Sequence, residues 1–286
     1  MRSRLWQNIW KNKAAMTGLV LISFFIIIGV IAPAITPHDP LILFPDSLRL
    51  PPFSTNIHGD YFFLGTDDVG RDLFSRLILG ARLSLLVGLS VVALALIGGT
   101  TLGMLSGYFG GMTDRLIMRF IDILMSMPSI LLAIVIVAIL GPGLWNAILA
   151  VSVVAIPQFT RVVRASVMQE CTKDYVAAAR AQGSPPFRIL LREIMPNCSG
   201  PLVVQASLGV SDGILNVAGL GFLGLGAQAP LPEWGMMLSD ARTYIESTPW
   251  LVTLPGLCLL VTVISFNLLG DGLRDALDPK AFKNSL

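Results

Sequence analysis

Six long apolar runs separated by polar connections dominate the pattern of the chain. They occupy, to within a few positions, residues 17–35, 83–107, 116–140, 144–160, 201–225 and 251–269. Each run can cross about 30 Å of hydrocarbon at about 1.5 Å of helix rise per residue, the fourth only just. Apolar runs of this length are typical of spanning helices rather than of a soluble core. The pattern therefore predicts an all-α integral membrane protein with six transmembrane helices.

The composition agrees with a membrane environment. Of the 286 residues, 54% are hydrophobic and 13% are charged, whereas soluble domains carry about 25% charged residues. The net charge of +2 and the lack of polar basic patches do not indicate a nucleic-acid partner. The lipid bilayer is the expected surrounding of this chain.

Basic residues predict the orientation of the six spans. Five of the 20 Lys and Arg residues fall on one set of connections, and the rest fall on the other set. Because Lys and Arg are retained on the cytoplasmic side, both termini are expected in the cytoplasm. The five expected outside are Arg49, Arg71, Arg76, Arg82 and Arg242.

The first span also imitates a secretory signal. Ala32-Pro33-Ala34 has the small residues of a cleavage site, and a basic start precedes the apolar stretch. The apolar run is longer than a usual signal core, which favours an uncleaved anchor.

Two connections are long enough to carry function, since short loops only join helices. We name residues 36–82 the outer loop and residues 161–198 the inner loop. Cys171 and Cys198 fall in the inner loop and Cys258 falls in a span, so neither a disulfide framework nor a metal motif is expected. The two histidines are isolated from every cysteine, and no metal site is predicted.

The inner loop begins with a short helix. Thr172 or Asp174 can cap a helix over residues 175–182, whose alanine run favours helix and leaves one face smooth. Gly183 then supplies the left-handed conformation that ends it.

A second helix follows at once. Ser184-Pro185 can open it as N-cap and first-turn proline, and Pro196-Asn197 is expected to end it. We name residues 175–196 the elbow. Its apolar residues, among them Tyr175, Val176 and Phe187, would stand in water. They suit docking into a groove on another protein or, alternatively, resting on the membrane interface.

The outer loop contains a segment of turn and cap chemistry directly before the second span. Gly65, Asp67, Asp68 and Gly70 are typical turn residues, and Asp72 can cap a helix from which Arg76 and Arg82 would extend to the outer interface. The acid pair beside Arg71 could instead bind a metal or the charged end of a peptide. We expect the turn and cap roles.

Asp212 lies well inside the fifth apolar run. A carboxylate there costs about 2.5–3.5 kcal/mol on insertion scales, so it should face a cavity or a partner rather than lipid. Asp212, with Asn216 one turn away, is therefore a candidate for the substrate path. A contact with a partner protein, shared with Ser211 and Asn216, is the alternative.

No catalytic residue is predicted. The phosphate-loop pattern G-x-x-x-x-G-K-[ST] is absent from the chain, so ATP hydrolysis is not expected here. An ion-coupled secondary transporter would normally show several intramembrane ionisable groups or matched broken helices. A membrane protease would need a second facing acid.

Several motifs resemble one family closely. Residues 175–183, followed by Pro196-Asn197, resemble the ATPase-coupling motif of bacterial ABC importer permeases, with Ala178, Ala179, Gly183 and Pro196 matching. Ala177 stands where the family's usual acid would be, and Glu193 and Met195 stand where Ile and Leu are usual.

The outer loop adds the specific likeness. Gly65, Thr66, Asp67, Asp68, Gly70, Arg71 and Asp72 resemble the signature of the dipeptide, oligopeptide and nickel permease family, in its C-type subunit. Similar segments at residues 107–111, 222–228, 232–235 and 266–279 extend the resemblance over nearly all of residues 60–280.

The resemblance implies the type I permease fold of ABC importers. It implies residues 1–81 as tail, first span and outer loop, residues 82–271 as the transmembrane domain, and residues 272–286 as a cytoplasmic tail. It also implies a bacterial inner membrane location.

The expected partners are a second permease, two ATPase subunits that bind ATP and Mg, and an external binding protein. Tyr175, Ala178, Ala179, Gly183, Phe187 and Pro196 would form the ATPase-coupling loop. Dipeptides are the favoured cargo, with longer peptides, nickel chelates, glutathione-like peptides and haem as alternatives.

Overall fold

Long helices run through most of the chain that a computed structural model describes, residues 12–277. In chain order they are α1 (Lys13–Ile35), α2 (Leu73–Phe109), α3 (Gly111–Met125), α4 (Ser129–Leu140), α5 (Leu144–Glu170), α6 (Asp174–Ala181), α7 (Pro186–Phe222), α8 (Trp234–Ala241) and α9 (Trp250–Leu277). A small antiparallel hairpin of β1 (Ser54–Thr55) and β2 (Tyr61–Phe62) lies in the outer loop. Most of the predicted cytoplasmic tails, residues 1–11 and 278–286, lies outside the described residues.

Five of these helices, α1, α2, α5, α7 and α9, are long and apolar enough to cross a membrane. The sixth predicted span, residues 116–140, is a pair of helices, α3 and α4, bent by 93°. A straight helix was therefore the wrong prediction for that run. Within residues 12–277, five helices can cross a membrane, and the total reaches the predicted six when the bent pair is counted as one broken span.

The bend has local causes. Pro128 has no N–H to continue a helix and disfavours helical geometry in the residue before it. Ahead of it, α3 carries four charged residues, and its apolar side chains form a single stripe rather than a full apolar surface. Met112, Leu116, Phe120 and Ile123 make up that stripe, and each is more than half exposed.

Two spans extend well past the predicted boundaries. Helix α2 begins ten residues before the apolar run at position 83, and α5 continues ten residues beyond position 160. With 37 residues, α2 reaches about 55 Å at about 1.5 Å per residue, more than the hydrocarbon thickness of about 30 Å. These projecting ends lie directly after the outer-loop signature, which ends at Asp72, and shortly before the elbow, which begins at Tyr175.

Helix α7 carries the second half of the elbow directly into the fifth span. The backbone is α-helical over Pro186–Arg188, π-helical over Ile189–Ile194, 3-10 over Met195–Cys198 and α-helical again over Ser199–Phe222. The predicted end at Pro196-Asn197 is therefore wrong. The missing N–H of Pro196 is accommodated by a change of helix type rather than by a break.

Small residues allow α2 and α5 to approach closely, as expected when helices pack in a membrane without a hydrophobic driving force. A Cβ at Gly103 would lie 2.6 Å from Cβ of Val163, and one at Gly107 would lie 2.9 Å from Cβ of Val167. Gly103 and Gly107 are four residues apart, so both lie on the face of α2 that meets α5. Gly111 is the first residue of α3 and has φ of +54°.

Candidate functional site

The first half of the elbow forms as a short helix, but its predicted cap is wrong. Helix α6 begins at Asp174 after Lys173, with no capping hydrogen bond from a side chain, and the Thr172 hydroxyl donates to the Gln169 carbonyl instead. Asp174 lies in the first turn, where its charge favours the helix dipole. Gly183 adopts φ of +73°, which confirms the predicted left-handed end of this helix.

One side of the elbow is buried against the spans. Val176, Ile189, Leu190 and Ile194 are each at most 2% exposed and join the main apolar core. The prediction that the elbow's apolar residues stand in water is therefore wrong for most of them. Their burial anchors the elbow to the ends of the long helices.

The opposite side of the elbow is open. Phe187 is 65% exposed and Leu191 is 58% exposed, while Ala177 and Ala178 are also exposed and Ala179 is half-buried. Leu191 borders a cavity of about 590 Å³ together with Leu96 and Ile97 of α2, so it faces the spans. We name Ala177, Ala178 and Phe187 the open face. A large apolar side chain and a smooth alanine surface are features that a helix-binding groove can recognise.

Polar contacts tie α6 to three different spans. The Tyr175 hydroxyl donates to Glu170 Oε2 at the end of α5, with an O–O distance of 2.6 Å. Asn197 Nδ2 of α7 donates to the Tyr175 hydroxyl at 3.3 Å. The Arg180 guanidinium lies 5.1 Å from the ring centre of Tyr108 near the end of α2, a cation–π distance.

Burial, and then the hydrogen bond to Glu170, raise the pKa of Tyr175 to about 12. The hydroxyl therefore keeps its proton near neutral pH and remains a donor. A tyrosine that donates to a carboxylate makes a charge-assisted bond, which is stronger than a neutral one.

The outer-loop signature folds as the turns and cap that were predicted. Gly65 and Gly70 have φ of +80° and +87°, and the Asp72 carboxylate accepts from the Ser75 N–H at the start of α2. The Thr66 hydroxyl donates to the Ser47 carbonyl and accepts from the Leu50 N–H at 2.8 Å.

A cluster of buried charges stands behind these turns. Asp67 Oδ2 lies 2.6 Å from Arg71 Nε and 3.3 Å from Arg76 Nε, and Arg71 Nη2 lies 3.6 Å from Asp240 Oδ2 in α8. Arg76 is 1% exposed, so the prediction that it extends to the interface is wrong. We name Asp67, Asp68, Arg71, Arg76 and Asp240 the outer charge cluster.

The cluster joins distant parts of the chain and leaves little space inside. Arg76 Nη1 donates to the Pro230 carbonyl at 3.2 Å, so the second span is bonded to the loop that precedes α8. The cavity bordered by Asp67, Asp68 and Asp240 measures about 10 Å³, and a single water needs about that much. The outer charge cluster is therefore suited to holding the outer loop in place rather than to binding the charged end of a peptide.

Asp212 lies on an exposed face of α7, and Asn216 is half-buried beside it. The Asn216 side chain donates to the Asp212 backbone carbonyl at 2.8 Å, rather than to its carboxylate. Ser211 turns the other way and donates to Asn267 of α9 at 2.6 Å. The side chains of the exposed Gln158 of α5 and the half-buried Gln205 of α7 meet at 3.3 Å and add further polar groups.

Sequence reasoning missed two buried acids, Glu170 and Glu233, and the half-buried Asp240. Asp240 gave no local signal, because it pairs with Arg71 of a distant segment. The partners of Glu170, Lys173 and Tyr175, are near in sequence, and their contact with it could have been predicted. Glu233 caps α8 by accepting from the N–H groups of Gly235 and Met236, both at 2.9 Å, and burial raises its pKa. The position of Glu233, directly before the helix that begins at Trp234, could have indicated this cap. Within residues 12–277, His, Cys, Asp and Glu form no group that could hold a metal.

Asp68 generates a prediction about pH. Burial and then the neighbouring Asp67 raise the pKa of its carboxyl group, so the folded protein disfavours the charged form. The Asp68 carboxyl group therefore contributes most to folding stability at pH values below its pKa in the unfolded chain. This contribution is lost as the pH rises through its pKa in the folded protein. Asp68→Asn should therefore raise the thermal unfolding midpoint at pH 7, and this gain should shrink near pH 4.

The comparison uses purified protein in detergent, with Asp39→Asn on the exposed surface of the outer loop as the matched control. The control should leave the midpoint unchanged at both pH values. An Asp68→Asn variant that is less stable at pH 7 than the parent would contradict the assignment.

The chain is similar to known proteins over most of its length. Residues 99–283 match the model of the binding-protein-dependent transport system inner membrane component, and residues 2–52 match the N-terminal TM domain of oligopeptide transport permease C. The chain is 50% identical to the di/tripeptide transport system permease protein DppC of Pseudomonas aeruginosa (strain UCBPP-PA14), covering 96% of this chain and 91% of the relative. It is 52% identical to the dipeptide transport system permease protein DppC of Escherichia coli (strain K12), covering 96% and 92%.

A solved structure supports the fold independently. An inward-facing form of the MetNI methionine ABC transporter matches with a TM-score of 0.59 and 21% identity, covering 72% of this chain and 98% of the solved chain. At that identity the likeness concerns the fold alone, and it is the fold of an ABC importer permease. Together with the family matches, it shows that this chain belongs to the inner membrane permease components of binding-protein-dependent transport systems.

Proposed function

We propose that this chain is one of two permease subunits of an ABC importer that carries dipeptides or other short peptides into the bacterial cytoplasm. The observation that carries the proposal is the elbow, a helical pair anchored to the spans on one side and open on the other. Transport would be driven by ATP hydrolysis in separate subunits, so this chain would be a transport subunit and not an enzyme.

The open face is the proposed docking surface for an ATPase subunit. Phe187 would enter a groove of that subunit, and the exposed alanines would let its backbone approach closely. Because the buried side of the elbow packs against α5 and α7, a movement of the docked subunit would be passed to the spans. ATP and Mg would be bound by the ATPase subunits.

The remaining partners follow from the same arrangement. Residues 82–271 would pair with a second homologous permease, and the outer loop would lie on the side from which an external binding protein delivers cargo. Both termini would then lie in the cytoplasm, as the distribution of Lys and Arg favours.

Dipeptides are the proposed cargo because curated relatives at 50% and 52% identity are di/tripeptide and dipeptide permeases. Longer peptides, nickel chelates or haem on the same framework are the alternative.

Uptake of a radiolabelled dipeptide tests the cargo and the elbow together. Cells that lack this chain would receive the intact chain, Phe187→Glu, or the matched control Ile57→Glu, at an outer-loop residue that is 79% exposed. We expect the intact chain and the control to restore uptake. Phe187→Glu should lower uptake about ten-fold or more, the loss expected for an aromatic anchor at an interface.

Two results would contradict this account in different ways. Normal uptake without the chain would remove dipeptides as its required cargo and turn the test to nickel chelates, haem and longer peptides. Normal uptake with Phe187→Glu would contradict docking through the open face.

We also propose that Asp212 and Asn216 line the path of the peptide. Asp212→Asn keeps the shape of the side chain and removes its charge, so the rate at saturating dipeptide should fall about ten-fold if a peptide amino group meets the carboxylate. Ser207→Ala on the same helix is the control and should transport normally. An unchanged rate for Asp212→Asn would exclude Asp212 from the path.

A further inference from the structure

A buried carboxylate lies where the fourth span meets the elbow. Glu170 is the last residue of α5 and is 8% exposed. Its Oε1 accepts from Lys173 Nζ at 2.6 Å, and its Oε2 accepts from the Tyr175 hydroxyl at 2.6 Å. Distances of this length are typical of charge-assisted hydrogen bonds.

The Tyr175 hydroxyl also reaches the fifth span. It accepts from Asn197 Nδ2 at 3.3 Å, and the same nitrogen donates to the Glu193 carbonyl at 2.6 Å. A single hydroxyl on α6 therefore bridges the end of α5 and the 3-10 part of α7. We name Glu170, Tyr175 and Asn197 the polar junction.

Backbone hydrogen bonds tie the turn before α6 to the end of α5, as from the Lys173 N–H to the Glu170 carbonyl at 3.1 Å, but among the described residues none joins α6 to α7. The short turn of residues 171–173 joins α5 to α6, and the π-helical and 3-10 segments of α7 replace regular α-helical bonding next to Asn197. π-Helical segments of this kind occur frequently at functional sites. The apolar contacts of Val176 and Ile189 hold α6 against the bundle, but apolar contact is non-directional and does not fix an angle.

We infer that the polar junction fixes the angle of α6 to α5 and α7, with Tyr175 as the positioning residue through which the elbow moves both spans. This inference rests on the proposed function, in which the elbow receives its movement from an ATPase. Tyr175 contacts neither ATP nor peptide. Its hydrogen bonds set how much of the elbow's displacement reaches the spans.

The test uses the complete transporter in proteoliposomes and measures dipeptide transported per ATP hydrolysed. Tyr175→Phe removes only the hydroxyl, and we expect this ratio to fall about ten-fold, since a hydrogen bond to a charged group is lost. Fewer folded transporters would lower transport and hydrolysis together without changing the ratio. Tyr61→Phe in the outer loop is the matched control and should keep the ratio.

A second variant tests whether Tyr175 and Glu170 act together. Glu170→Gln should also lower the ratio, and Tyr175→Phe combined with Glu170→Gln should be no worse than the more severe single variant. An unchanged ratio in Tyr175→Phe, or additive losses in the double variant, would overturn the inference.

Phe187→Glu separates this inference from the function on which it rests. If Phe187→Glu lowers dipeptide uptake while Tyr175→Phe leaves the ratio unchanged, the junction is wrong and docking through the open face stands. If Phe187→Glu leaves uptake unchanged and Tyr175→Phe leaves the ratio unchanged, the proposed function of the elbow fails as well.

Discussion

The anchoring of the elbow from one side is the constraint on which the account depends. Val176, Ile189 and Leu190 are buried among the span ends, while Phe187 and its neighbours on the open face remain exposed. Burial of three such side chains stabilises the attachment by several kcal/mol, at about 1.5–3 kcal/mol for each large apolar side chain. This attachment keeps the elbow on the span ends, and the polar junction then fixes the angle at which a force on the open face reaches the helices behind it.

The two ends of the helix bundle are fixed by different physics. At the outer loop, Asp67 and Asp240 hold buried arginines, and such pairs cost several kcal/mol when one partner is removed. Between the ends, Gly103 and Gly107 let α2 and α5 approach at backbone distance. At the elbow, apolar contact and a few directed hydrogen bonds replace the charge cluster. The outer end of the bundle is fixed by buried ion pairs, whereas the elbow end is held by apolar contacts and a few hydrogen bonds. This difference suits the bundle to movement at the elbow end.

The sequence was informative where a single local rule decides the structure. The apolar runs predicted five of the six spans as single helices, and the chemistry of Gly183 and Asp72 predicted a helix end and a cap. These predictions were confirmed, whereas the run at residues 116–140 is broken into two helices. The predictions from sequence failed where contacts with distant parts of the chain, or a change of helix type, decide the structure. Arg76 is buried because Asp67 and the Pro230 carbonyl receive it, and α7 continues through Pro196 because a change of helix type absorbs the missing N–H. The roles of Asp212 and Asn216 in a substrate path remain predictions.

A distance measurement tests the rigid attachment of the elbow most directly. Spin labels would be placed at Ala181 on α6 and at the exposed Met168 on α5, after replacing Cys171, Cys198 and Cys258 with serine. A second pair would join Ala181 to the matching elbow position of the second permease. On adding ATP to the complete transporter, we expect the Ala181–Met168 distance to stay constant while the distance between the two elbows changes. A change in the Ala181–Met168 distance would show that the elbow moves independently of its spans and would contradict the account.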